Sequence, residues 1–308
     1  MATIDPRALF VGSKQLGLKA LQAMVGAIPG SVAGAVTLDD SADNRSVLST
    51  FRSYCQGVGI PLSIVNGPRD LGDIVKEYSP QYVLVAGWYW ILKPSLLSAV
   101  PGGFLGLHPS LLPKYRGSAP LVWAMLRGEQ QTGVSLFYFD EGMDTGDVVD
   151  QVSFGVAHQE TIADVLVKAE NAGVELVTKY ARPLLLGTAP RMKQDHELAS
   201  YGSPRCPEDG RICWNQPASE VHKFISAQTR PYPGAFTYSP EGDILKIWRA
   251  SVFPHPYYGA PGLVGHKHLD GVVVACGDGA VIIQEWQLNG GTAQSMNTGL
   301  KWGARLGG

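Results

Sequence analysis

Ala8-Leu-Phe-Val-Gly-Ser-Lys-Gln-Leu-Gly-Leu-Lys-Ala-Leu-Gln-Ala-Met-Val25 decides the architecture of the first half of the chain. An apolar run, Ala8 to Val11, is closed by Gly12-Ser13. From Lys14 onward apolar side chains return at Leu16, Leu18, Leu21 and Met24, the spacing of a helix face. This is strand, turn and helix, and the pattern recurs. Ser31 to Leu38 reads as a second strand closed by Asp39-Asp40, and Asn44 to Gly57 as a helix on Val47, Leu48, Phe51 and Tyr54. Pro61 to Val65, Leu71 to Tyr78 and Tyr82 to Ala86 continue as strand, helix and strand. Such alternation predicts an α/β fold, a Rossmann-like, doubly wound and mostly parallel sheet with helices on both faces and right-handed crossovers. Ligands in these sheets bind beyond the carboxyl ends of the strands. That rule sets the loops after Val11, Ala86, Leu107 and Phe139 on one rim.

Phe104 to Leu107 is a further strand, and Ala119 to Arg127 a helix. Thr132 to Phe139 and Val148 to Phe154 alternate as a strand pair, and Thr161 to Leu186 is a long helix. Residues 197–210 are rich in Pro, Gly, Ser and charge and read as a linker between a catalytic domain, 1–196, and a second domain, 211–308. There Ala218 to Ala227 is a short helix. Tyr232 to Tyr238, Ile244 to Val252, Gly271 to Ala275 and Ala280 to Trp286 are short strands separated by Gly, Pro and Asp turns, the pattern of a small OB-like β-barrel.

A length of 308 residues suits two domains, and 45% hydrophobic with 17% charged residues suits a soluble globular protein. A net charge of -2 gives no footprint for nucleic acid. Cys55, Cys206, Cys213 and Cys276 lack metal-site spacing and read as reduced thiols of a cytoplasmic protein. The first residues have neither the basic nor the apolar region of a signal peptide. No apolar stretch reaches the roughly 18 residues of a membrane span.

Two turns carry groups suited to proton transfer. Gly106-Leu-His-Pro-Ser-Leu-Leu-Pro-Lys-Tyr-Arg-Gly117 sets His108 at the end of a strand, with Pro109 barring a helix. Asp140-Glu-Gly-Met-Asp-Thr-Gly-Asp147 sets Asp144 in an acidic turn. An imidazole beside a carboxylate can take a proton from an attacking amine near neutral pH. A turn histidine bonded to a backbone carbonyl, and a solvated hairpin loop, are the alternatives. The acidic turn lacks the spacing of a calcium loop.

The segment His108 to Gly117 resembles the HPSLLPxxRG signature of the formyltransferases that use 10-formyltetrahydrofolate. Gly142 to Asp147 resembles the second catalytic turn of that family. Asp209-Gly-Arg-Ile-Cys-Trp214, the helix around His222 and Pro231-Tyr-Pro-Gly-Ala-Phe236 look like the C-terminal barrel of its two-domain members. The resemblance implies the formyltransferase fold and an N-formyltransferase in which a primary amine attacks the formyl carbon through a tetrahedral intermediate. His108 is then the proton carrier, and Asp144 orients it and relays the proton. The family's third catalytic group, an Asn whose amide donates to the oxyanion, is replaced here by Gly106. Losing one such donor typically costs about 10²–10³ in turnover. Four accounts stay open: a backbone N–H, a water or the imidazolium substitutes; the acceptor amine is unusually reactive; the protein binds folate and amine without transfer or runs another one-carbon reaction; or the residue was introduced.

The resemblance assigns Trp88, Tyr89, Trp90, Ile91 and Leu92, with Asp140 and Gly142, to the folate; Trp88 and Trp90 as plain core residues are the alternative. Ser13 and Lys14, at a helix start, are candidates for a substrate anion. Arg116, Gly117 and Ser118 are candidates for the edge of the acceptor cleft. No metal is implied. The slight acidity, and the resemblance of Leu38 to Ser46 to the sugar N-formyltransferase pattern rather than to the basic loop of the tRNA enzyme, favour a small-molecule amine such as an amino sugar nucleotide or specialised metabolite, with no nucleic acid and no membrane as partner. Methionyl-tRNA formylation and a silent binding protein are the competing readings, and a homodimer through the barrel is left open.

Overall fold

Every residue of β1 (Ala8–Gly12) is buried, as an apolar strand between two neighbours must be. The structure, a computed structural model, describes residues 8–67, 69–295 and 300–307. After β1 come α1 (Lys14–Ala27), β2 (Val32–Leu38), α2 (Leu48–Val58), β3 (Leu62–Val65), α3 (Arg69–Tyr78), β4 (Tyr82–Ala86), the single turn α4 (Pro94–Leu97) and β5 (Phe104–His108). Then follow the short β6 (Arg116–Gly117), α5 (Pro120–Leu126), β7 (Gln131–Tyr138), β8 (Val148–Gly155), α6 (Ile162–Leu185) and the short β9 (Tyr201–Gly202).

The sheet order is β3-β2-β1-β4-β5-β7-β8. The first five strands are parallel, so the order reverses between β1 and β4, and the loops leaving their carboxyl ends meet there. Ser13 N–H donates to Ala86 O at 3.1 Å. β7 and β8 are antiparallel additions.

This corrects the single-rim expectation for the loop after Phe139. The carboxyl end of β7 lies beside Leu105, not beside His108, which pairs with Ser135. The turn that follows must lie back along β5 to reach His108. Side chains alternate across the sheet. Leu9, Val11, Val36, Val83 and Val85 pack with Leu71 and Val75 of α3 on one face, and Gly106, paired with Val85, belongs to that face. Phe10 meets Phe51 of α2 on the other face at a ring distance of 6.2 Å. There α6 joins α1 through Lys19 and Glu170 at 2.7 Å.

The chain divides into two compact units. One holds the residues up to Pro120 with Gln131–Gly155 and Leu166–Ser203; the other holds Leu121–Gln130, Val156–Val165 and the chain from Pro204 onward. The stretch read as a linker is therefore divided. Its first part is built into the first unit, where β9 pairs with β6, Arg116 N–H donates to Ser200 O at 2.8 Å and Ser118 N–H to Gly202 O at 2.9 Å.

The second unit contains α7 (Ala218–Ser226), β10 (Ala235–Tyr238), β11 (Ile244–Val252), β12 (Val264–His268), β13 (Gly271–Ala275), β14 (Ala280–Leu288) and the short β15 (Gln294–Ser295). Its antiparallel sheet runs β10-β11-β14-β13-β12, with β15 on β14. Val221 and Ile225 of α7 pack with Ile212, Trp214, Leu245, Ile247, Val274, Ile283 and Trp286 into its core. Trp214 keeps its indole N–H satisfied on Thr237 Oγ1 at 3.0 Å. β12 escaped the sequence reading because Gly265, His266 and Lys267 interrupt its apolar alternation.

Candidate active site

His108 ends β5 with only 7% of its surface exposed. Its Nε2 lies 2.8 Å from Tyr115 O. A carbonyl only accepts, so Nε2 carries a proton and donates. In the neutral ring the lone pair is then on Nδ1, which lies 3.5 Å from Asp144 Oδ2. The backbone around His108 is fixed by its neighbours. Ser110 Oγ donates to Lys114 O at 2.6 Å, Ser135 Oγ to Ser110 O at 2.6 Å, and Gln151 Nε2 to Leu112 O at 2.8 Å.

Asp144 sits at φ 54, in the left-handed region that a turn Asp tolerates. Its Oδ2 accepts the Gly117 N–H at 2.7 Å. Gly117 has φ 93, and a Cβ there would come within 2.6 Å of Gly202 O. Only glycine can bring this amide to the carboxylate. Thus β6, pinned by β9, holds Asp144 in line with His108.

Gly106 lies on the same face of β5 as His108. The space beside it is filled: a Cβ at 106 would lie 2.5 Å from Cε2 of Phe139. Phe139 stacks on Phe137 at 5.0 Å, and Phe137 stands edge-on to His108 at 6.2 Å. The centre therefore has a polar side, His108 with Asp144, and an aromatic side. Beyond the end of β4, Trp88 and Trp90 meet edge to face at 5.0 Å and join the cluster that includes Phe139. Trp88 Nε1 is buried without a hydrogen-bond partner, while Tyr89 and Ile91 stand exposed, Ile91 by 88%.

Residues 63–180 match the family model described as Formyl transferase, and residues 206–301 the model described as Formyl transferase, C-terminal domain. A methionyl-tRNA formyltransferase of Syntrophus aciditrophicus (strain SB) is 33% identical over 91% of this chain and 90% of its own length. Another, of Symbiobacterium thermophilum, is 36% identical over 92% and 88%. The chain belongs to the formyltransferase family. Among solved structures, a sugar 3N-formyl transferase crystallised with dTDP and 5-N-formyl-THF matches with TM-score 0.67 at 18% identity, covering 94% of this chain and 99% of that one. The methionyl-tRNA formyltransferase from Clostridium thermocellum matches with TM-score 0.59 at 20% identity, covering 80% and 93%. These two likenesses are of fold.

Several candidate residues of this formyltransferase have other work. Ser13 is buried, and its hydroxyl donates to Gly87 O, tying the first loop to the loop after β4. Lys14 is not free for a substrate anion, since its Nζ lies 2.6 Å from Asp40 and 2.9 Å from Asp43. Burial pushes its pKa down, but Asp40, Asp43 and Tyr89 outweigh burial and the net shift is upward. Arg116 does not line a cleft: it is 1% exposed. Its guanidinium donates to Gln194 Oε1 at 2.7 and 3.1 Å and to Tyr201 Oη at 3.0 Å, and contacts His196 Nδ1 at 3.1 Å. Gly117 serves Asp144, and Ser118 is half-buried, its N–H bonded to Gly202 O of β9. Asp140 takes Gly142 N–H at 3.0 Å and Thr145 Oγ1 at 2.6 Å, so both residues close the turn that carries Asp144. Leu92 is core, as is much of Trp88 and Trp90.

Sequence reasoning missed Gln194. Its amide donates to Asp144 O at 2.9 Å and Gly146 O at 2.7 Å while its oxygen accepts from Arg116. Nothing near it in sequence marks it, because all these partners are remote.

Proposed function

We propose that this formyltransferase moves the formyl group of 10-formyltetrahydrofolate to a primary amine of a small molecule. The observation that carries this reading is His108, with Nε2 committed to Tyr115 O and Nδ1 open beside Asp144. As the amine nitrogen bonds to the formyl carbon, His108 Nδ1 takes the amine proton, and the imidazolium so formed faces the Asp144 carboxylate. The same proton then passes from Nδ1 to the nitrogen that leaves. A positioned base of this kind contributes about 10²–10⁴ in rate. The bound donor supplies the electrophilic carbonyl carbon. Trp88, Tyr89, Trp90, Ile91 and Leu92 would form its site. The unpartnered Trp88 Nε1 offers a donor to a pterin's acceptor edge, and Trp90, Leu92 and Phe139 offer an apolar wall.

Charge supports a small acceptor. Residues 204–308 carry nine Lys and Arg against eight Asp and Glu, a net +1. Arg230 is paired with Glu285 and Lys223 with Glu220. Nucleic-acid binding rests on phosphate neutralisation by a basic face. The second reading, formylation of methionyl-tRNA, is favoured by the names of relatives 33% and 36% identical across most of the chain.

The deciding experiment incubates the protein with 10-formyltetrahydrofolate and a panel of amino sugar nucleotides, amino-acid derivatives and methionyl-tRNA, following tetrahydrofolate release and formylated product together. Formylation of one small amine, abolished by His108→Ala, is expected. Formylation of methionyl-tRNA alone would replace the acceptor assignment, and no transfer to any member would sink the transferase reading for this panel.

A further inference from the structure

Gly106 is more than an absent amide, because the room its side chain would need is occupied. A Cβ at 106 would lie 2.5 Å from Cε2 and 2.9 Å from Cζ of Phe139, and 3.0 Å from Cε1 of Phe137. Carbon atoms in contact settle near 3.5–4.0 Å, so even alanine collides. Phe139 is half-buried, and its neighbours hold the ring. It packs on Phe137, on the cluster of Val85 and Leu92 that Trp88 and Trp90 also join, and on the Leu112–Val148 cluster. β7 pairing sets Phe137 opposite Gly106, so both rings close over the same position.

We infer that Phe139 is a positioning residue interlocked with Gly106: the ring holds the aromatic side of the formyl-transfer centre, and a polar side chain at 106 is excluded while it stays. This rests on the formyl-transfer reading above. It also assigns charge stabilisation to the other side of the centre. When the amine nitrogen bonds to the formyl carbon, the carbonyl π electrons move to oxygen and the amine proton moves to His108 Nδ1. The positive imidazolium so formed then faces the new negative charge in place of a side-chain amide at position 106.

The test is a double-variant cycle on the full chain with Gly106→Asn, Phe139→Ala and both together. Three readouts are taken: melting temperature, 5-formyltetrahydrofolate binding by tryptophan fluorescence, and turnover with the acceptor found in the panel. Gly106→Asn alone is expected to lower Tm by about 3–6 °C, the scale of an overpacked core, and to lose at least about tenfold in turnover. In the double variant the Tm loss caused by Asn at 106 is expected to shrink by at least half. Its turnover should exceed that of Phe139→Ala by about tenfold or more, since one oxyanion donor is worth about 10²–10³. Gly106→Asn that melts like the parent and turns over as fast or faster would overturn the interlock. So would a double variant whose Tm loss is the sum of the single losses. The melting and binding arms need no acceptor, so failure of the formyl-transfer reading and failure of the interlock give separate results.

Discussion

At the scale of single residues the proton inventory of His108 governs what the centre can do. Tyr115 O fixes the hydrogen on Nε2 and leaves the Nδ1 lone pair 3.5 Å from Asp144, so in the proposed mechanism Nδ1 acts as the base and Asp144 as its electrostatic partner. His108→Ala removes the base and is expected to lower kcat/KM by about 10²–10⁴. Asp144→Asn keeps an oxygen for the Gly117 N–H but removes the negative charge facing Nδ1. It is expected to cost about 10²-fold with Tm changed by only a few degrees, measured by formylation kinetics beside thermal melts. Activity of either variant within threefold of the parent would refute the assigned roles. His108 and Asp144 stood out in the sequence through the resemblance of their two turns to the formyltransferase signature, since turn chemistry alone fits a bonded turn histidine and a solvated hairpin equally well, and the structure sets the two side chains 3.5 Å apart. Lys14 and Arg116 were misread. A basic side chain announces its charge but not its partner, and these partners stand on Asp40, Asp43 and Gln194, between 26 and 78 residues away.

At the scale of elements the existence of the strands was readable and the direction of one was not. Apolar runs bounded by Gly and Pro marked β1 to β5, and alternation marked β7 and β8. The seven-residue α5 between β5 and β7 looks like the helix of a parallel crossover, yet β7 returns antiparallel. The consequence is functional, because the turn after Phe139 must double back along β5 to bring Asp144 to His108. Gln194 holds that turn, donating to Asp144 O and Gly146 O while accepting from the buried Arg116. Gln194→Leu leaves two carbonyls without this donor and strips Arg116 of its central acceptor. Stranding buried polar groups of this kind costs about 2–3 kcal/mol, a Tm drop of about 4–10 °C. Turnover should fall further than donor affinity, because the displaced group is Asp144. A Tm within 1 °C of the parent would show that the brace contributes nothing.

At the scale of the whole molecule each of the two units buries a cysteine thiol in its core, and the second also buries His222. Burial pushes the Cys55 thiol up to about 11 in the first unit and the Cys276 thiol up to about 12 in the second, whereas Cys206 and Cys213 are exposed. A thiol reagent at pH 8 is therefore expected to label two cysteines quickly in the native protein and four after unfolding. Fast labelling of Cys55 or Cys276 would mean that its core opens readily. His222 on α7 gives the second unit a pH dependence. Its ring is buried, Nδ1 has no hydrogen-bond partner, and the His158 ring lies 5.6 Å away. Burial first, and the neighbouring His158 second, push its pKa below the ordinary 6.5. Above that value both folded and unfolded chains hold it neutral, and stability does not depend on it. As pH falls through 6.5 the unfolded chain binds a proton that the folded unit refuses, so this group favours unfolding increasingly down to its lowered folded value. The limiting slope is about 1.4 kcal/mol per pH unit. Calorimetry of the parent between pH 7.5 and 5 should show Tm falling with acid, and His222→Gln, neutral throughout, should flatten that fall. Parallel curves for the two proteins would remove His222 as the cause and turn attention to the exposed histidines.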